Sequence, residues 1–391
     1  MFVFTRILHL VCLSLIVLGI GFCVVQKYST QKSVNQNIER NTMNSNKTFQ
    51  VTDHEVTFQN AKDGITLSGT LSVPGSTDNK LAPVVILVPG MGAVDRDCTF
   101  GAHKLFLTIS QYLTSHGIAV LRYDKRGVGK SGGVFNMTIT SADLSRDVLA
   151  AVQFLTKCPE INSNKIGLIG VSEGGLISFM VASECPDVKF MISMAGAVIT
   201  NSAEQAGLQL KADGASDEFI QRDKVIRSHI FDTIQTHSPE QAERMLLVDV
   251  KSYVDSLTEE EKIQAKTLPF ALTEQNYQRN IATFNSAWFR FFLQTESMDF
   301  ISRVSVPVLA INGELDFIMS SKLALPKIAA GLKKTGNQHV TIVSIPNQNH
   351  WFQECKTGAM SEYGSLKETV NESTLKLMAD WISKTAEPLK E

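Results

Sequence analysis

The stretch Gly170-Val-Ser172-Glu173-Gly174 sets a serine between glycines directly after the apolar run Lys165-Ile-Gly-Leu-Ile169. A serine hydroxyl is a poor nucleophile at neutral pH, so the placement matters only if a base and an orienting acid accompany it. Two readings compete: an ordinary tight turn, or a turn built to present the Ser172 hydroxyl. The pentapeptide alone is a weak signal, and its setting between a buried strand and an apolar helix is the stronger one. A chain that turns so sharply needs Gly170 and Gly174, where a Cβ would collide, and it strains the serine at the apex. Ser172 Oγ then projects past the carboxyl edge of the sheet, with the Glu173 N–H pointing the same way.

Later stretches supply partners in the order serine, acid, histidine. Asn312-Gly-Glu314-Leu-Asp316 follows the apolar run that starts at Pro307, and Pro346-Asn-Gln-Asn-His350-Trp-Phe follows the Val340 run. His350 would take the serine proton and return it to the leaving group, while Asp316 would fix the imidazole tautomer and stabilise the imidazolium. Glu314 is the rival acid; loop position favours Asp316. A tetrahedral intermediate also needs N–H donors for its oxyanion. Val88-Pro-Gly-Met91-Gly92 carries glycines that let backbone approach a substrate, so the Met91 N–H is expected to act with that of Glu173. This chemistry calls for no metal and no organic cofactor.

Such residues must sit on strands that end together. Pro83-Val-Val-Ile-Leu-Val88 is a continuous apolar run, as in a strand buried on both faces. Ile118–Tyr123, Lys165–Val171, Val188–Ala195, Pro307–Ile311 and Val340–Ile345 are expected strands. Helices are expected over Lys104–Ser115, Ala142–Thr156, Glu173–Ser183, Ser321–Leu332 and Glu368–Ser383, and a hairpin joins His54–Gln59 to Ile65–Val73 through Asp63-Gly64. The alternation implies an α/β fold with a mostly parallel sheet covered on both faces. Residues 200–303 are helical in character and would cap the strand ends, dividing the core into 51–199 and 304–391. Residues 27–50, rich in Ser, Thr, Asn, Gln and Lys, read as a flexible linker.

The 391 residues carry a net charge of -2 and are 43% hydrophobic. That suffices for a substantial core and excludes the basic stripe of a nucleic-acid binder. Within residues 1–26, the nineteen from Ile7 to Val25 are almost wholly apolar; as a helix they would rise ~28 Å, close to a bilayer core. A cleavable signal peptide and an uncleaved membrane anchor both fit, and both imply export to a periplasmic or other extracytoplasmic site. Phe22 before Cys23 speaks against a lipoprotein. The cysteines show no CxxC spacing, which argues against zinc; Cys98, Cys158, Cys185 and Cys355 are either buried thiols or partners in one or two disulfides. Gly127-Val-Gly-Lys-Ser131 imitates a phosphate loop, but Asp124 stands where its first glycine belongs. A turn braced by an Asp124–Arg126 pair is expected instead. Asp95-Arg96-Asp97 reads as a salt-bridged loop, Glu259-Glu-Glu261 as a solvated helix face, and Trp288, Phe289, Phe291 and Phe292 as cap core that can also line an acyl pocket.

VPGMGAVDRD (88–97), RYDKRGVGKSGG (122–133), GVSEGG (170–175), WFRFFL (288–293), PVLAINGELD (307–316) and NQNHWFQ (347–353) occur in this order. As a set they resemble the α/β-hydrolase superfamily, in its bacterial serine esterase and serine aminopeptidase-like, dienelactone-hydrolase-related branch, over roughly residues 55–385. The resemblance implies an eight-stranded α/β-hydrolase sheet with an inserted helical cap and a Ser172–Asp316–His350 triad. The chain departs from the branch where Thr295-Glu-Ser-Met-Asp299 replaces a Tyr-Asp-Pro and where Phe317-Ile-Met replaces a more polar run, so substrate preference is not carried over. The expected activity is hydrolysis of a carboxylic ester in a small-molecule substrate, with peptidase, thioesterase or acyl-transfer activity open on the same triad. A non-catalytic ligand-binding or scaffold homologue is the competing class; the complete set of serine, acid, histidine and glycine-rich loop argues against it.

Overall fold

The computed structural model describes residues 39–44, 47–75, 80–198, 203–268 and 270–386. The apolar run ahead of them lies outside the described residues. Among the described residues no helix is long and apolar enough to cross a membrane.

Strand β1 (Glu39–Asn44) pairs antiparallel with β2 (Lys47–Asn60), so part of the stretch expected as a tether is strand. Its sequence is largely polar, and pairing draws on backbone groups that every residue other than proline carries in full. Gly64 turns β2 into β3 (Ile65–Pro74) at φ +67°, as the Asp63-Gly64 signal implied. There follow β4 (Ala82–Val88), a small hairpin of β5 (Thr99–Phe100) and β6 (His103–Lys104), helix α1 (Leu105–Ser115), β7 (Ala119–Tyr123), α2 (Ser141–Leu155), β8 (Ile161–Val171), α3 (Glu173–Ala182) and β9 (Val188–Met194). After the cap come β10 (Val308–Gly313), α11 (Ser321–Lys334), β11 (Val340–Ile345), α12 (Met360–Tyr363) and α13 (Glu372–Ala386).

The main sheet runs β1-β2-β3-β7-β4-β8-β9-β10-β11. From β7 to β11 all pairings are parallel, and β1, β2 and β3 form an antiparallel edge. Eight of these nine strands make the sheet that the resemblance implied, and β1 adds a ninth at the edge. Alternate residues of β4 enter different cores. Val84, Ile86 and Val88 pack with Val148 of α2 and Ile328 of α11, while Val85 and Leu87 pack with Ile109 of α1 and Met378 of α13. Both faces are therefore covered, which is why β4 reads as unbroken apolar residues. The chain is an α/β-hydrolase fold.

The cap comprises α4 (Ala203–Ala212), α5 (Asp217–Thr236), α6 (Pro239–Asp255), α7 (Glu259–Ala265), α8 (Tyr277–Phe284), α9 (Ala287–Gln294) and α10 (Met298–Ile301). Its starts are written locally. Ser238 and Gln241 close a capping box on α6, with Pro239 in the first turn, and Thr258 with Glu261 does the same for α7. Glu261, expected only as solvated surface, thus caps its own helix and also pairs with Arg222 at 3.1 Å. Phe231, Phe284 and Phe289 form the cap's own core.

Candidate active site

Four loops at the carboxyl ends of parallel strands bring the expected residues together. After β8 the chain enters α3 through Ser172, whose φ of 56° and ψ of -122° place it in strained backbone. The strain is over-determined. Ser172 N donates to Met194 O at 2.9 Å, and its carbonyl accepts from Gly175 N and Ala197 N at 2.8 and 2.9 Å. A Cβ on Gly170 would lie 2.2 Å from Gly174 O, and one on Gly174 would lie 2.1 Å from Val88 O. The turn can be this tight only with both glycines.

His350 stands in the loop after β11 and is 5% exposed. Its Nδ1 is 2.8 Å from Asp316 Oδ2. Asp316, after β10, is held in turn: Oδ1 accepts from the backbone N–H of Ile318 and Met319 at 2.9 and 2.8 Å. One carboxylate oxygen fixes the loop and the other faces the imidazole, so Nδ1 carries the proton and Nε2 is left as the basic nitrogen. Glu314 is exposed and makes no such contact; of the two candidate acids, the structure brings Asp316 to the histidine. Gly313 permits the approach, since a Cβ there would lie 2.2 Å from Gln348 O. The His350 N–H donates to the Tyr363 hydroxyl at 3.1 Å. Burial, then the Asp316 charge, pushes that phenol well above its ordinary value, so it stays neutral beside the acid.

Ser172, His350, Glu173 and Met91 line one cavity of about 410 Å³. Glu173 is the first residue of α3, where a backbone N–H has no partner within the helix. The Met91 N–H has no backbone partner among the described residues. The Met91 side chain is exposed at the cavity wall. Cys98 also lines the cavity, but its thiol is pushed up to about 12 by burial and then by Asp95, which keeps it protonated and unreactive. All four described cysteines are free thiols.

A residue that the sequence reading passed over holds the glycine loop. Lys125 Nζ donates to Gly90 O at 2.6 Å and Gly92 O at 3.1 Å and lies 5.1 Å from the Phe135 ring centre. Tying down the carbonyls on either side of Met91 fixes the peptides that carry the loop's N–H groups. Burial pushes the Lys125 ammonium below its ordinary value, and the nearby Glu173 carboxylate partly offsets this. The Glu173 carboxylate accepts from Ser141 Oγ at 2.7 Å and Trp288 Nε1 at 2.8 Å, which couples the turn at Ser172 to the cap. Lys125 lies inside the RYDKRGVGKSGG stretch, between Asp124 and Arg126, and no local spacing marks its role.

The expected Asp124–Arg126 pair does not form. Asp124 pairs with Arg96 at 2.8 Å, while Arg126 bonds Asp147 and Asp63, both at 2.7 Å. Residues two apart leave an extended chain on the same side but follow separate routes once it turns, and each finds a partner from another element. Asp95-Arg96-Asp97 is a salt-bridged loop as expected, with Asp97 paired to Arg122 and Lys104. Trp288, Phe289 and Phe292 serve both as buried cap residues and as cavity wall, and Phe317, Ile318 and Met319 line the cavity too. The run that departs from the branch is thus an apolar pocket wall.

The family model described as alpha/beta hydrolase fold matches residues 83–357, well over half of the chain. The chain belongs to this family. Among curated proteins it is 28% identical over 149 residues to a thiohydrolase of Arthrinium phaeospermum, covering 38% of this chain and 45% of the relative. It is 31% identical over 116 residues to an esterase of Thermotoga maritima (30% and 27%) and 30% identical over 121 residues to a polyketide transferase of a Penicillium species (31% and 37%). The chain spans less than half the length of each of these relatives. A solved hypothetical protein of Pseudomonas aeruginosa has a TM-score of 0.53 at 18% identity, covering 86% of this chain and 94% of that one. An alpha/beta hydrolase of Penicillium sp. sh18 has a TM-score of 0.50 at 17% identity (86% and 98%). At these identities the likeness is one of fold.

Proposed function

We propose that this alpha/beta-hydrolase family member is a serine hydrolase that cleaves a carboxylic ester through an acyl-serine intermediate. The observation that carries the reading is a convergence: a strained Ser172 and a His350 held 2.8 Å from Asp316 open on the same cavity. Ser172 Oγ attacks the acyl carbon as His350 Nε2 takes its proton, and Asp316 steadies the imidazolium. The carbonyl oxygen becomes an oxyanion that accepts from the N–H groups of Met91 and Glu173, each donor contributing about 3 kcal/mol. His350 then protonates the departing alcohol. Water, deprotonated by the same nitrogen, attacks the acyl-serine and releases the acid.

Thioester cleavage or acyl transfer is the second reading. It is favoured by relatives named as a thiohydrolase and a polyketide transferase. The acyl-serine is common to both readings; only the leaving group or the second nucleophile differs.

The test is turnover of p-nitrophenyl esters from acetate to long acyl chains, with Ser172→Ala assayed beside the parent and acyl-thioesters run in parallel. Loss of the serine is expected to lower kcat on the order of 10⁶-fold. Turnover of thioesters alone would favour the second reading. No turnover, with no labelling of Ser172 by a fluorophosphonate in folded protein, would reject both. We also propose that Ile7–Val25 directs export; a protein found wholly in the cytoplasmic fraction would reject that.

A further inference from the structure

The cavity wall opposite in chemistry to its aromatic lining comes from the cap. Gln205 and Gln209, one helical turn apart on α4, and Arg227 on α5 all line the cavity. All three are at least 98% buried. Each is half-satisfied, and the partner it does have decides which atom is left over. Gln205 Oε1 accepts from Ser320 N at 3.0 Å, which fixes the amide and leaves Nε2 unpaired. Gln209 Nε2 donates to Asp213 Oδ2 at 3.0 Å, leaving Oε1. Arg227 Nε donates to Asp223 Oδ2 at 2.6 Å and Nη1 reaches Phe270 O at 3.5 Å, leaving Nη2. Buried polar atoms are nearly always hydrogen-bonded, so three cavity-lining side chains that each keep an atom without a partner among the described residues call for one.

The unpaired set is two donors and one acceptor. A hydroxyl group complements it: its oxygen accepts two hydrogen bonds and its hydrogen donates one. A carboxylate does not, because it would leave Gln209 Oε1 facing an acceptor. It would also add a second negative charge to an Arg227 already neutralised by Asp223. A plain alkyl chain would leave all three atoms unpaired. We propose that Gln205, Gln209 and Arg227 recognise a hydroxyl carried on the acyl chain of the substrate, away from the reacting carbonyl. The enzyme would thus take hydroxylated acyl groups in an otherwise apolar pocket. This rests on the acyl-serine reading above, and the experiment keeps the two separable.

The Ser172→Ala protein, full chain, is titrated with methyl ω-hydroxyalkanoates and with methyl alkanoates matched in length, following tryptophan fluorescence, since Trp288 and Trp351 line the cavity. In parallel the parent is assayed with the matching p-nitrophenyl esters and with ω-carboxyalkanoyl esters. At one chain length the hydroxylated ligand is expected to bind, and its ester to turn over, at least about tenfold better than the alkyl one. Arg227→Met is expected to bring that ratio close to one. Gln205→Met, nearly isosteric and without a charge to strand, should narrow it as well and serves if Arg227→Met does not fold. A ratio near one at every length, or a preference for the carboxylate, would overturn the proposal. If no ester turns over, the binding ratio still decides it. Hydroxyl-selective binding with no turnover of esters or thioesters, and no labelling of Ser172 by a fluorophosphonate, would uphold this site and reject the acyl-serine reading.

Discussion

The two walls of the cavity are built on opposite terms. Beneath the Ser172 side, charged groups are matched many times over. Arg96 bonds Asp124, Glu55, Thr70 and Ser68, and Arg126 bonds Asp147, Asp63 and a backbone carbonyl. The glycine loop is held by Lys125 and the His350 loop by Asp316 and Tyr363. On the cap side, the cavity-lining Gln205, Gln209 and Arg227 each leave a buried polar atom without a partner among the described residues, whereas on the strands of the Ser172 side the exceptions are the neutral Ser193 Oγ and Asn312 Oδ1. Reaction geometry needs positions set before substrate arrives, because reorganisation during the reaction raises the barrier. Recognition gains from groups that stay unpaired until the right ligand supplies the partner. The difference between the walls is what the proposed acyl-serine chemistry and a selective pocket would require.

Breaking the preset wall should therefore cost rate more than affinity. The largest such effect is expected from Asp316→Asn. Asn keeps an oxygen for the Ile318 and Met319 amides, so the loop stays in place. It puts an NH₂ against His350 Nδ1, which must then accept, and the proton moves to Nε2 where the base is needed. A loss of kcat on the order of 10⁴-fold with little change in KM is expected, read by steady-state kinetics on the best ester. A loss below tenfold would remove Asp316 from the mechanism. Next comes Lys125→Met, which keeps the apolar stem beside Phe135 and removes the donor to Gly90 O and Gly92 O. Freeing the loop should weaken one oxyanion donor and lower kcat on the order of 10²-fold, again with KM nearly unmoved. A change confined to KM would make Lys125 part of substrate binding rather than of loop positioning.

The preset wall was the legible one. Ser172, Asp316 and His350 could be placed because each follows an apolar strand, and a buried parallel strand announces itself by an unbroken run of apolar residues. Loop position favoured Asp316 over Glu314; that the loop ties itself down through the backbone N–H groups of Ile318 and Met319 is visible only in the folded chain. The ion pairs beneath the site were less legible. Asp124 and Arg126 are near in sequence, yet their partners Arg96 and Asp147 come from other elements, and only the folded chain sets those distances. β1 was hidden because backbone pairing leaves little mark on a polar sequence. The cap wall was hidden for another reason. Asp223 and Arg227 have the four-residue spacing of an ordinary surface helix pair, and nothing local tells that both are buried. Which atoms of Gln205 and Gln209 stay free depends on Ser320 and Asp213, partners known only once the elements have packed.

The smallest effect expected tests whether the ionic matching contributes to stability. Burial raises the Asp124 carboxyl, but hydrogen bonds from Arg96 and from the backbone of Lys130 and Arg96 outweigh it and hold the group below the ordinary carboxylate range. Asp63 is likewise raised by burial and pulled below that range by Arg146 and Arg126. A carboxyl whose value is lower in the folded chain contributes stability above its unfolded value, about 3.9. As pH falls below that, the unfolded chain binds protons first, and the contribution is lost through the folded value. Tm should hold steady from neutral pH to about 5 and decline below about 4. Asp124→Asn should start lower at pH 7, since it strands Arg96, and fall less steeply in acid because one of the protons driving the decline is gone. Parallel Tm–pH curves for the two proteins would mean that Asp124 is not held low by its partners, and that the matching beneath Ser172 positions the loops without stabilising them.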